Sequence, residues 1–169
     1  MNQTIGYLEY KPILDLFVSS VQAALESDVV SIILYGSVAR GKATPESDAD
    51  LLIILRDPPS VYRERLRPFL VILRQLQEEA LWKELEAKGQ RPYLSLLVLS
   101  QQEAEQTRYI YLDMVDEALI LVDVEGFFQA KLEALRKRLE ELGAKRVWQE
   151  ERWYWDLKPA LKKGEALIL

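Results

Sequence analysis

Two apolar runs of equal length constrain this chain more than any other feature. Residues 29–35 (VVSIILY) and 49–55 (ADLLIIL) are rich in branched aliphatic side chains. Both are too short for a core helix and of the right length for buried strands. The first ends at Gly36 and the second at Asp57-Pro58-Pro59, residue types that stop a strand. A Gly-, Pro- and Ser-containing connection, residues 36–48, joins them. Similar apolar runs at 93–99 (YLSLLVL) and 118–123 (ALILVD) predict a third and a fourth strand.

Between the strands the apolar period changes to that of a helix. Ile13, Leu14, Phe17, Val21, Ala24 and Leu25 form one stripe over residues 11–26, with Pro12 suited to a first turn. Residues 60–88 read as helical, with a break expected before Pro68 and an end at Gly89. Ser100 and Glu103 have the spacing of a capping box. Short helical patterns follow at 108–116, where Tyr109, Tyr111 and Met114 read as packing residues, and at 126–142, where Phe127, Phe128, Leu132, Leu135 and Leu139 form the apolar seam. Strands alternating with helices predict an α+β, α/β-like fold: a mixed sheet flanked by helices. The chain's 169 residues suit a single domain.

What is missing narrows the chemistry. The chain has no cysteine and no histidine. Disulfides, thiolate catalysis, Ser-His machinery and His- or Cys-ligated metals are excluded. Any bound metal must sit among oxygens, which favours magnesium, manganese or calcium. The net charge of −5 gives little general attraction for nucleic acid. No apolar run is long enough to cross a membrane, and Met1-Asn2-Gln3-Thr4 lacks a signal-peptide start. A cytoplasmic location is the expectation.

The chemistry-bearing segment is 36–55, GSVARGKATPESDADLLIIL. Asp48 and Asp50 lie two residues apart at a strand start, so both carboxylates should face one side. Such a pair repels itself, and a divalent cation resolves the conflict. Gly36 permits a sharp turn, and Ser37 with its neighbouring amides could hold phosphate oxygens. Arg40 and Lys42 add positive charge nearby. Each element alone is ordinary turn chemistry; together, between two buried strands, they fit phosphoryl or nucleotidyl transfer. A P-loop reading of Gly36 to Lys42 fails, because Ala43 stands where the magnesium-binding hydroxyl would be and a turn, not a helix, follows.

Gly36-Ser37, ten intervening residues and Asp48-Ala49-Asp50 resemble the signature of the DNA polymerase β nucleotidyltransferase superfamily, in particular its minimal members. The resemblance implies that Ser37 and the adjoining backbone hold the β- and γ-phosphates of a nucleoside triphosphate, ATP in many members. It also implies that Asp48 and Asp50 ligate two magnesium ions, and that an acceptor hydroxyl attacks the α-phosphorus. In antitoxin members that hydroxyl is a tyrosine of a HEPN-type partner protein. Active members carry a third carboxylate on the next core strand; the apolar pattern puts Ser95 at that position, and Asp113 or Glu84 are the alternatives. Without it, the implied alternative is a weakened nucleotide-binding or antitoxin-like module. Residues 145–169 form an arm outside the common core, with Trp148, Trp153, Tyr154 and Trp155 among Arg152, Lys158, Lys162 and Lys163. That arm reads as an aromatic strand packed on the core or a second subunit, with Ala166-Leu167-Ile168-Leu169 docked and homodimerisation through it, in preference to a nucleic-acid surface.

Overall fold

The run Val29–Tyr35 becomes strand β1 and Ala49–Leu55 becomes β2, because nearly every side chain in both is buried. The computed structural model describes residues 5–149 and 152–159. In chain order these are helix α1 (Tyr7–Leu25), β1, the four-residue α2 (Gly36–Ala39), β2, α3 (Tyr62–Glu78), α4 (Ala80–Ala87), β3 (Leu94–Ser100), α5 (Gln101–Glu105), α6 (Tyr109–Glu117), β4 (Leu119–Asp123), α7 (Phe127–Leu142), β5 (Lys145–Gln149) and β6 (Arg152–Asp156). The main sheet has the order β3-β2-β1-β4. β1 is antiparallel to β2 and to β4, whereas β2 and β3 run parallel. The sheet is therefore mixed, as the sequence predicts, and β5 with β6 forms a separate antiparallel hairpin.

Strand alternation divides the core into two layers. Leu51, Ile53 and Leu55 of β2 meet α1, α3 and Trp82 of α4 on one face. Leu52 and Ile54 meet α5, α6 and α7 on the other. Helices cover both faces, so both faces of the central strands are apolar.

Several expectations shift on contact with the packing. α1 starts at Tyr7, with Glu9 accepting from the amide of Gly6 at 2.9 Å. Pro12 therefore sits inside the helix rather than in its first turn; it is exposed, so the carbonyl left without an amide partner can turn to water. The break before Pro68 does not occur: α3 runs through Pro68, and the interruption falls at Glu79 (φ −69°, ψ 147°). Tertiary anchors on either side of the proline outweigh its local cost. Buried Arg65 donates to the Pro59 carbonyl at 2.6 Å and to Glu103 at 2.5 Å, and Phe69 is fully buried. Tyr111 and Met114 pack in the core, but Tyr109 is 79% exposed, since it opens α6 at the surface. The capping box at Ser100 and Glu103 forms in both directions. The expected docking of Ala166-Leu167-Ile168-Leu169 lies outside the described residues. Among the described residues no helix is long and apolar enough to cross a membrane.

Candidate nucleotide and metal site

The connection from β1 to β2 is tightly held. Gly36 turns with φ +76°, and the chain coils through α2, where the amide of Lys42 donates to the Ser37 carbonyl at 2.9 Å. Ala43 then exchanges two backbone hydrogen bonds with Ile5, at 3.0 and 3.1 Å. A turn closed by Ser47 N to Thr44 O (3.0 Å) delivers the chain to Asp48. Lys42 opens no helix, so a P-loop is excluded by the fold as well as by Ala43.

Ala49 is fully buried, Asp48 just ahead of β2 is exposed and Asp50 is half-buried; the two acids are near enough for the charge of Asp48 to act on Asp50. Within β2, Asp50 alternates onto the side of Leu52 and Ile54, the one covered by α5, α6 and α7. Register then builds the site across three strands: Tyr35 pairs with Asp50, and Asp50 pairs with Ser95. Ser95 thus lies beside Asp50 on the neighbouring parallel strand.

The glycine corner and the acid are in direct contact. A β-carbon placed on Gly36 would lie 2.3 Å from Oδ2 of Asp50 and 3.2 Å from its Cγ. Only glycine leaves room for the carboxylate there, and only glycine takes that positive φ without strain. Burial raises the pKa of Asp50 above the ordinary carboxylate value; the Ser95 hydroxyl, hydrogen-bonded to it, opposes that rise, the charge of Asp48 adds to it, and Arg40 opposes it. The carboxylate is seated where ionisation is disfavoured, and a positive charge between it and Asp48 would reverse that.

The donor set fits a hard cation. It consists of carboxylate and hydroxyl oxygens, without nitrogen or sulfur. Among the described residues no group of three or more acidic side chains is assembled. Two protein carboxylates with the remaining positions left to phosphate oxygens and water suit magnesium, which keeps several waters and binds through one or two carboxylates plus substrate phosphates. Asp113 and Glu84 do not complete the set. Asp113 sits on α6 among Arg40, Arg146 and Glu117, Glu84 lies in the other layer beside Pro12 and Ile13 of α1, and neither is among the groups acting on Asp50.

Two features escape a reading of the sequence alone. Tyr10 of α1, fully buried, places its hydroxyl 3.0 Å from the carbonyls of both Ser47 and Arg91. It pins the loop that carries Asp48 to the segment entering β3, where Arg91 N to Pro45 O (2.9 Å) and Ala49 N to Tyr93 O (2.8 Å) complete the seam. Burial and then the charge of Asp48 raise the pKa of Tyr10, so it remains a neutral donor. The second feature is that the basic pair is engaged. Arg40 lies 3.5 Å from Glu117 of α6, and Lys42 lies over the ring of Trp148 of β5.

A family model for the nucleotidyltransferase domain matches residues 15–165. Over 47 residues the chain is 47% identical to "Putative protein adenylyltransferase MJ1305" of Methanocaldococcus jannaschii, covering 28% of this chain and 32% of that protein. The aligned stretch is thus about a third of that relative's length. Among solved structures, spectinomycin adenyltransferase AAD(9) from Enterococcus faecialis, with ATP and spectinomycin, superposes with a TM-score of 0.47 at 13% identity, covering 81% of this chain and 67% of that one. A tri-AMPylated Shewanella oneidensis HEPN toxin in complex with MNT antitoxin gives a TM-score of 0.41 at 13% identity, covering 79% of this chain and 88% of that one.

Proposed function

Because this chain belongs to the nucleotidyltransferase domain family, whose model spans residues 15–165, we propose that it binds a magnesium-bound nucleoside triphosphate, ATP in the first instance, and transfers the nucleoside monophosphate to an acceptor hydroxyl. The observation that carries this reading is the close approach of Gly36 to the Asp50 carboxylate, which supports a single site for the triphosphate and its metal.

The division of labour follows from the residues. Ser37 and the amides of the corner bind the terminal phosphates, and Arg40 and Lys42 contribute positive charge. Asp48 and Asp50 hold magnesium or manganese, which when bound neutralises phosphate charge and aligns the triphosphate. The acceptor oxygen forms a bond to the α-phosphorus, the bond from that phosphorus to the bridging oxygen breaks, and pyrophosphate leaves. The hydroxyl proton passes to solvent, since Ser95 is a poor base. The name of the Methanocaldococcus relative favours a protein hydroxyl as acceptor, and the sequence resemblance to antitoxin members favours one on a HEPN-type partner.

Calorimetry with ATP and magnesium tests the reading. Wild type binds ATP in a metal-dependent manner and the Asp48→Ala/Asp50→Ala variant does not; metal-independent binding, or binding that survives both substitutions, defeats it. Mass spectrometry of a co-expressed HEPN partner, showing or lacking an added nucleoside monophosphate, tests the acceptor.

One observation favours a second reading, binding without efficient transfer: Ser95 faces Asp50 where a carboxylate would complete the metal site. Losing even an outer partner of a metal ligand typically costs about 10- to 100-fold in activity or metal affinity, and a direct ligand is worth more. Ser95→Asp separates the two. A rise in transfer rate supports a weakened transferase site. A variant that binds Mg-ATP yet transfers nothing favours the binding module.

A further inference from the structure

Through the contact of Trp148 with Lys42, one face of the C-terminal hairpin is turned toward the site. Arg146 and Trp148 alternate onto the same side of β5, and the antiparallel register sets Trp155 opposite Arg146. Trp155 packs against the second core layer, and the Arg146 guanidinium stacks 5.2 Å above its ring. Arg146 also bonds Glu117 at 2.6 Å, and Glu117 reaches Arg40 at 3.5 Å. These contacts fix the hairpin against the loop that follows the glycine corner. At the hairpin's far end Trp148 is 59% exposed, with the Lys42 ammonium 5.9 Å from its ring centre. The backbone amide of that same lysine is bonded to Ser37.

A large, flat, exposed aromatic ring beside a lysine of a phosphate-binding loop has the makings of a stacking platform. Every nucleobase has a π-face, so stacking on tryptophan requires no particular base, and a lysine over the ring can be drawn to phosphate because an exposed cation–π contact is weak. We propose that Trp148 is the surface on which the base of the bound nucleoside triphosphate stacks, making the β5–β6 hairpin a wall of the nucleotide site. This rests on the nucleotide-binding reading of the corner and the acidic pair. It assigns to Trp148 a binding role that tolerates different bases, and it leaves the phosphate and metal contacts to Ser37, Asp48 and Asp50.

Trp148→Ala and Trp148→Phe are compared with wild type by calorimetry, using two probes in the presence of magnesium: ATP and inorganic tripolyphosphate. Base stacking is worth about 1–3 kcal/mol by alanine substitution, so Trp148→Ala weakens ATP binding by about 5- to 150-fold and leaves tripolyphosphate unchanged. Trp148→Phe restores most of the ATP affinity, and GTP and CTP lose affinity in Trp148→Ala as well. If ATP binding is insensitive to Trp148→Ala, or if ATP and tripolyphosphate weaken in parallel, the stacking role is refuted while the nucleotide site stands. If neither probe binds wild type, the nucleotide-binding reading fails and this inference fails with it.

Discussion

Gly36→Ala is the sharpest perturbation of this fold, because a second glycine supplies its control. Gly36 and Gly89 share φ +76°, but an added β-carbon at Gly89 meets nothing within 4 Å, whereas at Gly36 it falls 2.3 Å from Oδ2 of Asp50. An L-residue in the left-handed region costs about 1–2 kcal/mol, partly offset by a stiffer unfolded chain, and both terms are common to the two variants. What differs is the collision. With Cγ of Asp50 also only 3.2 Å away, the whole carboxyl group must rotate out of place. The displacement takes Asp50 from its Ser95 partner and toward a poorer rotamer, about 1–2 kcal/mol in all. For a chain of this size that separates the two melting temperatures by about 2–8 °C. Thermal denaturation of Gly36→Ala and Gly89→Ala reads the difference directly, and in an Asp50→Ala background the penalty at Gly36 falls to that at Gly89. In the proposed function, Gly36→Ala also abolishes metal-dependent ATP binding and Gly89→Ala leaves it intact. Equal melting temperatures, or unimpaired ATP binding in Gly36→Ala, would refute the claim that corner and acid form one unit.

Tyr10→Phe keeps the buried ring but deprives two carbonyls, those of Ser47 and Arg91, of their hydroxyl partner. The expected loss is about 1–2 kcal/mol in urea unfolding, with weaker magnesium-dependent ATP binding as the Asp48 loop loosens; a variant indistinguishable from wild type in both assays contradicts the pinning role. Acid should act through Glu103, whose pKa is pushed from 4.5 down to about 2 by Arg65 and then by the Ser100 amide. A depressed carboxylate contributes stability above its ordinary value and loses it as pH falls through the window from 4.5 toward 2. Glu103 is 39% exposed, so solvent screening limits the effect to about 1 kcal/mol. Glu103→Gln should show a smaller stability loss than wild type between pH 5 and pH 3, and parallel curves would count against the assignment.

The sheet was legible because its strands are nearly all core. When both faces of a strand are buried, composition alone marks it, and β1 and β2 begin and end where the apolar runs do. The close spacing of Asp48 and Asp50 in the chain likewise keeps their charges near each other in the fold. The helix boundaries were less legible, because they depend on partners distant in sequence. Pro68 is a local helix breaker, but the 38-residue reach from Arg65 to Glu103 and the buried Phe69 hold the helix through it. Tyr10 shows the same limit inside the site. It lies just ahead of the stripe read over residues 11–26 and carries no signal of its own, yet its partners lie 37 and 81 residues away. No local pattern encodes a hydroxyl placed by the packing of one helix against two loops.

The basic residues of the corner raise the last question of balance. Arg40 and Lys42 were read as phosphate ligands, and the fold gives each of them an internal partner: Glu117 for Arg40 and the Trp148 ring for Lys42. Those partners do not forbid the role, because their strength is small. A part-exposed ion pair at 3.5 Å contributes about 0–1 kcal/mol, and a lysine over an exposed ring about 0.5–1 kcal/mol. Charge-assisted bonds to a phosphate are roughly twice as strong as neutral ones and come several at a time. Glu117 keeps the 2.6 Å bond from Arg146 to its Oε1, and the exchange gives up only the longer 3.5 Å contact of Arg40 with Oε2. Such contacts are better suited to keeping two long side chains oriented beside the corner than to blocking it, and they bring the hairpin, the helix α6 and the glycine turn into one electrostatic unit that a triphosphate could enter by replacing its weakest members.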